Sequence, residues 1–344
     1  MSNPTEFFFR ADGNPRIGSG HIMRCLSLAG ALRDQGARCV FLLADDRILP
    51  AVTGRGFAAR VLGTRWQDMA AELPALLPLL HPNALVVVDS YALVPAWLDA
   101  VQRLCPVAQF DDEDAFLSTA DFLINYNLYG LDRDYTRYRD RPVRLLLGPA
   151  YAPLRPEFSH RPARAVPDTV QNILVSTGGA DPENVAGQLL AALAADTRWQ
   201  GVTFHLVVGA LNPRLPELER AAAALPNLVL HRNVARMDTL MSACDAAVAA
   251  AGSTLYELCA CGTPTVTYVL ADNQIPGAQG FARRNLMDNA GDCRRGPAFY
   301  PHLLDTLYAL CTDAPRRAAM AAAMQQTVDG NGAARLAAAL LGED

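Results

Sequence analysis

Short apolar runs alternate with stretches of helical periodicity, and that alternation constrains this chain more than any other feature. Residues 7–9 are followed by a helical pattern over 22–35, then by apolar runs at 39–43 and 84–88. Such a series predicts βαβ units, in which each strand of a parallel sheet hands on to a helix before the next strand. The helix after His21 puts Ile22, Leu26, Ala29 and Leu32 on one face and stops at Gly36, a residue suited to the left-handed turn that ends helices. Further strands are predicted at 107–110, 122–124 and 144–147.

Between about 148 and 169 the pattern breaks. Pro149, Pro153, Pro156, Pro162 and Pro167 deny that stretch a regular helix, so it reads as a crossing between domains. A second series then begins, with strands predicted at 173–176, 203–208, 228–230, 246–249 and 265–268 and a helix near 185–195. A chain of 344 residues is long for one core, and its 51% hydrophobic content can fill two. The expected fold is α/β: two doubly wound, Rossmann-like domains facing across a cleft at the carboxyl ends of their strands. Their expected spans are 1–150 and 169–312, with an alanine-rich helical tail at 313–344 packing back across the domains.

Composition removes several function classes. All 30 basic residues are arginine, which excludes a P-loop lysine and any Schiff base. A formal net charge of -5 offers no basic field for nucleic acid. The eight cysteines lie in apolar surroundings without Cys-x-x-Cys spacing, so neither zinc nor a disulfide framework is expected. The first residues lack a charged region followed by an apolar run, and no uncharged apolar segment is long enough to span a bilayer. A cytoplasmic protein with no membrane segment, acting as a monomer without cofactor, is therefore expected.

Three segments place glycine where a strand gives way to a helix. The first, Arg10-Ala-Asp12 followed by Ile17-Gly18-Ser-Gly20-His21, brings a histidine to a helix N-terminus, where an imidazole suits general base work near neutrality. The second, Ser176-Thr-Gly178-Gly179-Ala-Asp181, can cradle a phosphate without lysine or can simply be a turn capped by Asp181. The third, Gly252-Ser253-Thr254-Leu-Tyr256-Glu257, reads either as a capping box or as a ligand loop in which Glu257 holds a ribose diol. Asn273 and Gln274 follow the next strand with amides. In the first half, Tyr91 follows the strand ending at Asp89, and Asn125 and Asn127 are candidates for sugar hydroxyls or amides. The run Asp111-Asp112-Glu113-Asp114 invites a magnesium reading, but sequential carboxylates seldom converge on one ion, and no metal is expected.

Taken in order, Arg10-Ala-Asp12, Ile17-Gly-Ser-Gly-His21-x-x-Arg24, Asp89-Ser-Tyr91, Phe110-Asp-Asp112, Asn125-x-Asn127, Gly178-Gly179, Tyr256-Glu257 and Asn273-Gln274 resemble the PseG family. These are the UDP-2,4-diacetamido-2,4,6-trideoxy-β-L-altropyranose hydrolases of pseudaminic acid synthesis, themselves similar to MurG-type glycosyltransferases of GT-B fold. The resemblance covers about residues 7–290. It implies that water displaces UDP at the anomeric carbon with inversion and without a metal. His21 would activate that water, Tyr91 would be an active-site tyrosine, and Gly178, Gly179, Ser253, Thr254 and Glu257 would lie on the nucleotide side. Where some members carry an asparagine near the sugar this chain has Tyr256, which leaves the sugar's substituents open. A glycosyltransferase using a UDP-sugar donor and a silent nucleotide-sugar binding protein are the competing readings.

Overall fold

The computed structural model describes residues 5–14, 17–18, 20–209 and 212–343, and the chain divides into two compact units, 1–156 with 330–344, and 157–329. In the first unit the order is β1 (Glu6–Ala11), α1 (Gly20–Asp34), β2 (Arg38–Leu43), α2 (Leu49–Thr53), β3 (Ala58–Val61), α3 (Met69–Leu76), β4 (Ala84–Asp89), α4 (Pro95–Gln102), β5 (Val107–Phe110), β6 (Phe122–Asn125) and β7 (Arg144–Leu147). The second unit runs β8 (Asn172–Ser176), α5 (Val185–Ala194), β9 (Thr203–Val208), α6 (Leu215–Ala224), β10 (Leu228–Arg232), α7 (Met237–Ala243) and β11 (Ala246–Ala250). It continues through α8 (Thr254–Cys261), β12 (Thr265–Val269), α9 (Ile275–Arg283), β13 (Asp288–Asp292), α10 (Phe299–Cys311) and α11 (Ala314–Thr327). The last helix, α12 (Gly332–Leu341), returns to the first unit.

Both sheets are parallel. The first has seven strands in the order β3-β2-β1-β4-β5-β6-β7, the second six in the order β10-β9-β8-β11-β12-β13. Each starts at an inner strand, winds outward to one edge, then returns to the starting strand's other side. The winding direction therefore reverses between β1 and β4 and between β8 and β11, which is where a doubly wound sheet opens a crevice beyond its carboxyl ends. The central strands β4 and β11 are buried along their whole length. Helices on both faces of a parallel sheet require this, and it explains the continuous apolar runs in the sequence. On one face of the first sheet Phe8, Val86, Val88, Trp97 and Leu98 form a core; on the other Phe9 stacks on Phe41 at 5.0 Å.

Two strands appear where none was expected, and both are sheet edges. β3 is largely exposed, and β13 reads Asp-Asn-Ala-Gly-Asp with a register irregularity against β12. The proline-rich stretch after β7 makes 3-10 turns at Pro149–Tyr151 and Pro156–Phe158, and its arginines then tie it to the second unit. Arg161 pairs with Asp238 at 3.0 Å, and Arg164 donates to the carbonyls of Ser242 and Cys244 at the end of α7.

Candidate functional site

The crevice of the first sheet is built from the loop after β1 and from the carboxyl end of β4. After Ala11 the backbone of Asn14 pairs with that of Gly18, whose φ of +75° a side chain would strain. Ser19 of the predicted loop lies outside the described residues. The next helix opens at Gly20, so His21 sits in its first turn, directly beside the strand that carries Asp89. His21 is only 6% exposed, and neither ring nitrogen has a hydrogen-bond partner. Its Nδ1 is 3.5 Å from Asp89 Oδ1, and its ring meets the ring of Tyr91 edge-on at 4.4 Å. Buried polar atoms are normally paired, because leaving one unsatisfied costs about 1–3 kcal/mol. An imidazole held here without partners is kept available for something else.

Arg24, one turn along α1, fixes Asp89. Its Nε and Nη2 hold the two carboxylate oxygens at 2.5 and 2.6 Å, a bidentate clamp. Its Nη1 reaches Asp112 at 2.7 Å and the Tyr126 hydroxyl at 3.2 Å, while the guanidinium lies over the Phe110 ring. Burial pushes the Asp89 carboxyl up, but the charges of Arg24 and then His21 outweigh it and hold it below the ordinary carboxylate range. Asp89 is therefore an anion that can orient an imidazole and stabilise its cation without taking its proton. A concavity beside this pair is lined by Asp89, Tyr91, Phe110, Asp112, Glu113 and Phe116. Burial first, and then Asp112 and Asp111, raise the carboxyl of Glu113, with His21 opposing.

Several of the motif residues are held by other side chains. Arg10 is 0% exposed, and its Nε and Nη2 go to Glu72 at 2.7–2.9 Å while Nη1 goes to Asp12. Asp12 in turn accepts the Ala44 amide at 2.9 Å, and Glu72 also accepts Trp97 Nε1 at 2.9 Å. Asn125 is wholly buried, donating to the Tyr135 hydroxyl and accepting from the Asn127 amide. Asn127 donates to Asp112 at 2.7 Å. Arg24 of the same motif spends its guanidinium on Asp89, Asp112 and Tyr126. Glu72 is the support that sequence reasoning missed: a buried carboxylate in the helix Met-Ala-Ala-Glu-Leu-Pro-Ala-Leu carries no local mark of its partner 62 residues away.

The second unit repeats the geometry. After β8, Gly178 is exposed and Gly179 half-buried, while Asp181 accepts the amides of Val185 and Ala186 at 2.8 and 3.0 Å and caps α5. Arg214 donates to the Asp181 carbonyl at 3.2 Å beside this loop. After β11, Gly252 and Ser253 are exposed at the start of α8, and Ser253 makes no side-chain cap. Instead the amides of Leu255 and Tyr256 close onto the carbonyls of Gly252 and Ser253, each at 3.1 Å. Thr254 and Glu257 are half-buried on the first turn, whereas Tyr256 is buried against Phe281 with ring centroids 5.3 Å apart. After β12, Asn273 is exposed and Gln274 folds its amide oxygen onto the Leu270 amide at 3.0 Å. Among the described residues no group of three or more His, Cys, Asp or Glu side chains is arranged to hold a metal, and no helix is long and apolar enough to cross a membrane.

No protein-family model matches the chain. The spore coat polysaccharide biosynthesis protein SpsG of Bacillus subtilis is 27% identical over 343 residues, covering 96% of each chain. The UDP-2,4-diacetamido-2,4,6-trideoxy-β-L-altropyranose hydrolase of Campylobacter jejuni is 24% identical over 242 residues, 67% of this chain and 81% of that one. An uncharacterised protein of Methanocaldococcus jannaschii is 25% identical over 277 residues, 77% of this chain, and the match spans only 55% of that protein's length. Among solved structures, Acinetobacter baumannii MurG superposes with a TM-score of 0.69 at 16% identity, covering 98% of this chain and 100% of that one. The calicheamicin glycosyltransferase CalG4 gives 0.65 at 15% identity, with 98% of both chains covered. The chain thus has the fold of the GT-B glycosyltransferases, two Rossmann-like units in tandem, and its resemblance to the PseG hydrolases extends to the Campylobacter enzyme over two thirds of its length.

Proposed function

We propose that this protein hydrolyses a UDP-linked diacetamido-trideoxyhexose at the anomeric carbon, releasing UDP and free sugar by inversion and without a metal, as in pseudaminic acid synthesis. The observation that carries the reading is His21: a buried imidazole with two unpartnered nitrogens, oriented by a clamped carboxylate at the sheet's switch point. With Asp89 facing Nδ1, Nε2 is the nitrogen that takes a proton from water as the water oxygen attacks the sugar carbon. The bond to the diphosphate breaks with its electron pair on the leaving oxygen. Tyr91, 39% exposed beside the imidazole, faces the sugar. The second unit supplies the nucleotide site: the Gly178-Gly179 loop and the exposed Gly252-Ser253 turn before α8 receive the diphosphate, and Glu257 the ribose. UDP is a good leaving group, and oriented amides stabilise the charge that develops on it.

The glycosyltransferase fold favours a second reading, in which an acceptor hydroxyl replaces water. Product analysis separates the two. Incubation with a panel of UDP-sugars under chelator, with NMR of the anomeric product, yields free sugar and UDP without acceptor under the first reading and no turnover under the second. We expect His21→Ala to keep UDP affinity and lose at least about a hundredfold in rate, and Glu257→Ala to weaken UDP binding measured by calorimetry. Equal loss of UDP affinity in both variants would overturn this division of labour.

A further inference from the structure

The acidic run after β5 is unused by that mechanism, and one of its members, Glu113, lines the concavity together with Asp89 and Tyr91, the two groups that touch His21. His21 is more than nine-tenths buried, so the imidazolium formed when it accepts a proton has little direct access to bulk water. The concavity beside it offers few places for that proton to go. Asp89 has both oxygens on Arg24 and stays ionised. Asp112 gives one oxygen to Arg24 and the other to Asn127. Asp111 is buried and accepts the Asp114 amide at 2.8 Å. Tyr91 brings a phenol, and phenols keep their proton near neutrality and so do not serve as acceptors. All four carboxylates line the concavity, and among them Glu113 alone is exposed to solvent with a side chain that makes no hydrogen bond or ion pair.

Resting on the reading of His21 as the base, we propose that Glu113 is its proton outlet, receiving the proton from the imidazolium directly or through one water and passing it to solvent. The balance closes without a co-reactant. One water O–H bond breaks and the proton joins His21 Nε2 as the new carbon–oxygen bond forms and the diphosphate leaves. The N–H bond then breaks, an O–H bond forms on Glu113, and that proton exchanges with bulk water. Asp89 from β4 and Tyr91 just beyond it touch the imidazole, and with Arg24 from its own helix and Asp111, Asp112 and Glu113 from the loop after β5 they are the charged and titratable groups of the concavity. The upward displacement of the Glu113 carboxyl by burial and by Asp112 and Asp111 brings it nearer the range of an imidazole, which eases transfer.

Glu113→Gln tests this, since an exposed isosteric amide leaves the fold intact. In dilute non-transferring buffer we expect kcat to fall about tenfold with KM within about twofold, and added imidazole buffer to restore it. Undiminished kcat, or a loss that no buffer restores, overturns the relay. Full activity in His21→Ala instead overturns the reading beneath it, so the two failures are distinguishable.

Discussion

Arg24 and Asp89 form the bond on which the first site depends, and its energetics make a definite forecast. Removing one partner from a buried ion pair costs about 3–5 kcal/mol, since the other is left charged and unpaired. Arg24→Met should therefore lower stability at pH 7 by roughly that amount. In the native protein, although burial raises Asp89, Arg24 and His21 bring its folded pKa below the unfolded value of 3.8. Between those values the unfolded chain binds more protons. The contribution is thus fully present above about pH 5 and is lost as pH falls through the folded pKa. Without Arg24 burial remains the largest influence on Asp89, opposed by His21 and Cys25, so its pKa rises and the variant loses less stability with acid. The stability gap between native and variant, read from urea midpoints, should narrow from pH 7 to pH 4.5; a constant gap would show that Asp89 is not the group responsible. The sequence marked His21, Arg24, Asp89 and Asp112 as motif residues, but not how they pair. A glycine-flanked histidine at a strand-to-helix turn announces its position, but the clamp joins residues 65 apart and Glu113 hides within a run whose only obvious reading was a metal.

Elements were legible where burial is complete and obscure where it is not. β4 and β11 are buried along their whole length and β1 along all but its first residue, so they read as apolar runs broken only by Glu6, Arg10 and Asp89, each of which has a charged partner. The edge strands β3 and β13 need pair on one side only, and their exposed or polar residues leave no periodicity to read. The outer pair β9 and β10 carries a feature of its own. His205 Nδ1 is 2.9 Å from His231 Nε2, and His205 Nε2 is 3.1 Å from Asn172 Oδ1. Two imidazoles sharing one hydrogen bond cannot both be cations without setting N–H against N–H. Burial lowers both pKa values, and for His205 the neighbouring His231 lowers it further. Because the folded values lie below the unfolded value of 6.5, the unfolded chain binds more protons in between, and stability falls as pH drops below it. His205→Gln should flatten that slope between pH 7 and 5.5 in thermal unfolding of the second unit. An unchanged slope would place the acid sensitivity elsewhere.

The chain passes between its units twice, near 156 and again near 330, so the first unit is completed only by the last helix. The alanine-rich tail advertised helix, yet its division fell at Val328-Asp-Gly-Asn331, with α11 in one unit and α12 in the other. A helix of ten residues is marginal by itself, and α12 gains its stability by burying Leu336, Leu340 and Leu341 against α1 and its surroundings. Gly332 lets its backbone close onto Ala152, where any Cβ would collide with the Ala152 carbonyl. Arg335 then donates to the Ala150 carbonyl at 2.9 Å and Arg144 to that of Ala339 at 3.2 Å. At about 1.5–3 kcal/mol for each buried leucine, loss of α12 removes an amount comparable to the whole stability of a typical domain. Deleting residues 330–344 should therefore speed hydrogen exchange in β1 and α1 while β8 and β11 keep their protection. Since α1 carries His21, the same deletion should abolish turnover yet leave UDP affinity in place. Equal loss of protection in both sheets would mean that the last helix stabilises the second unit as well, and that the two do not fold independently.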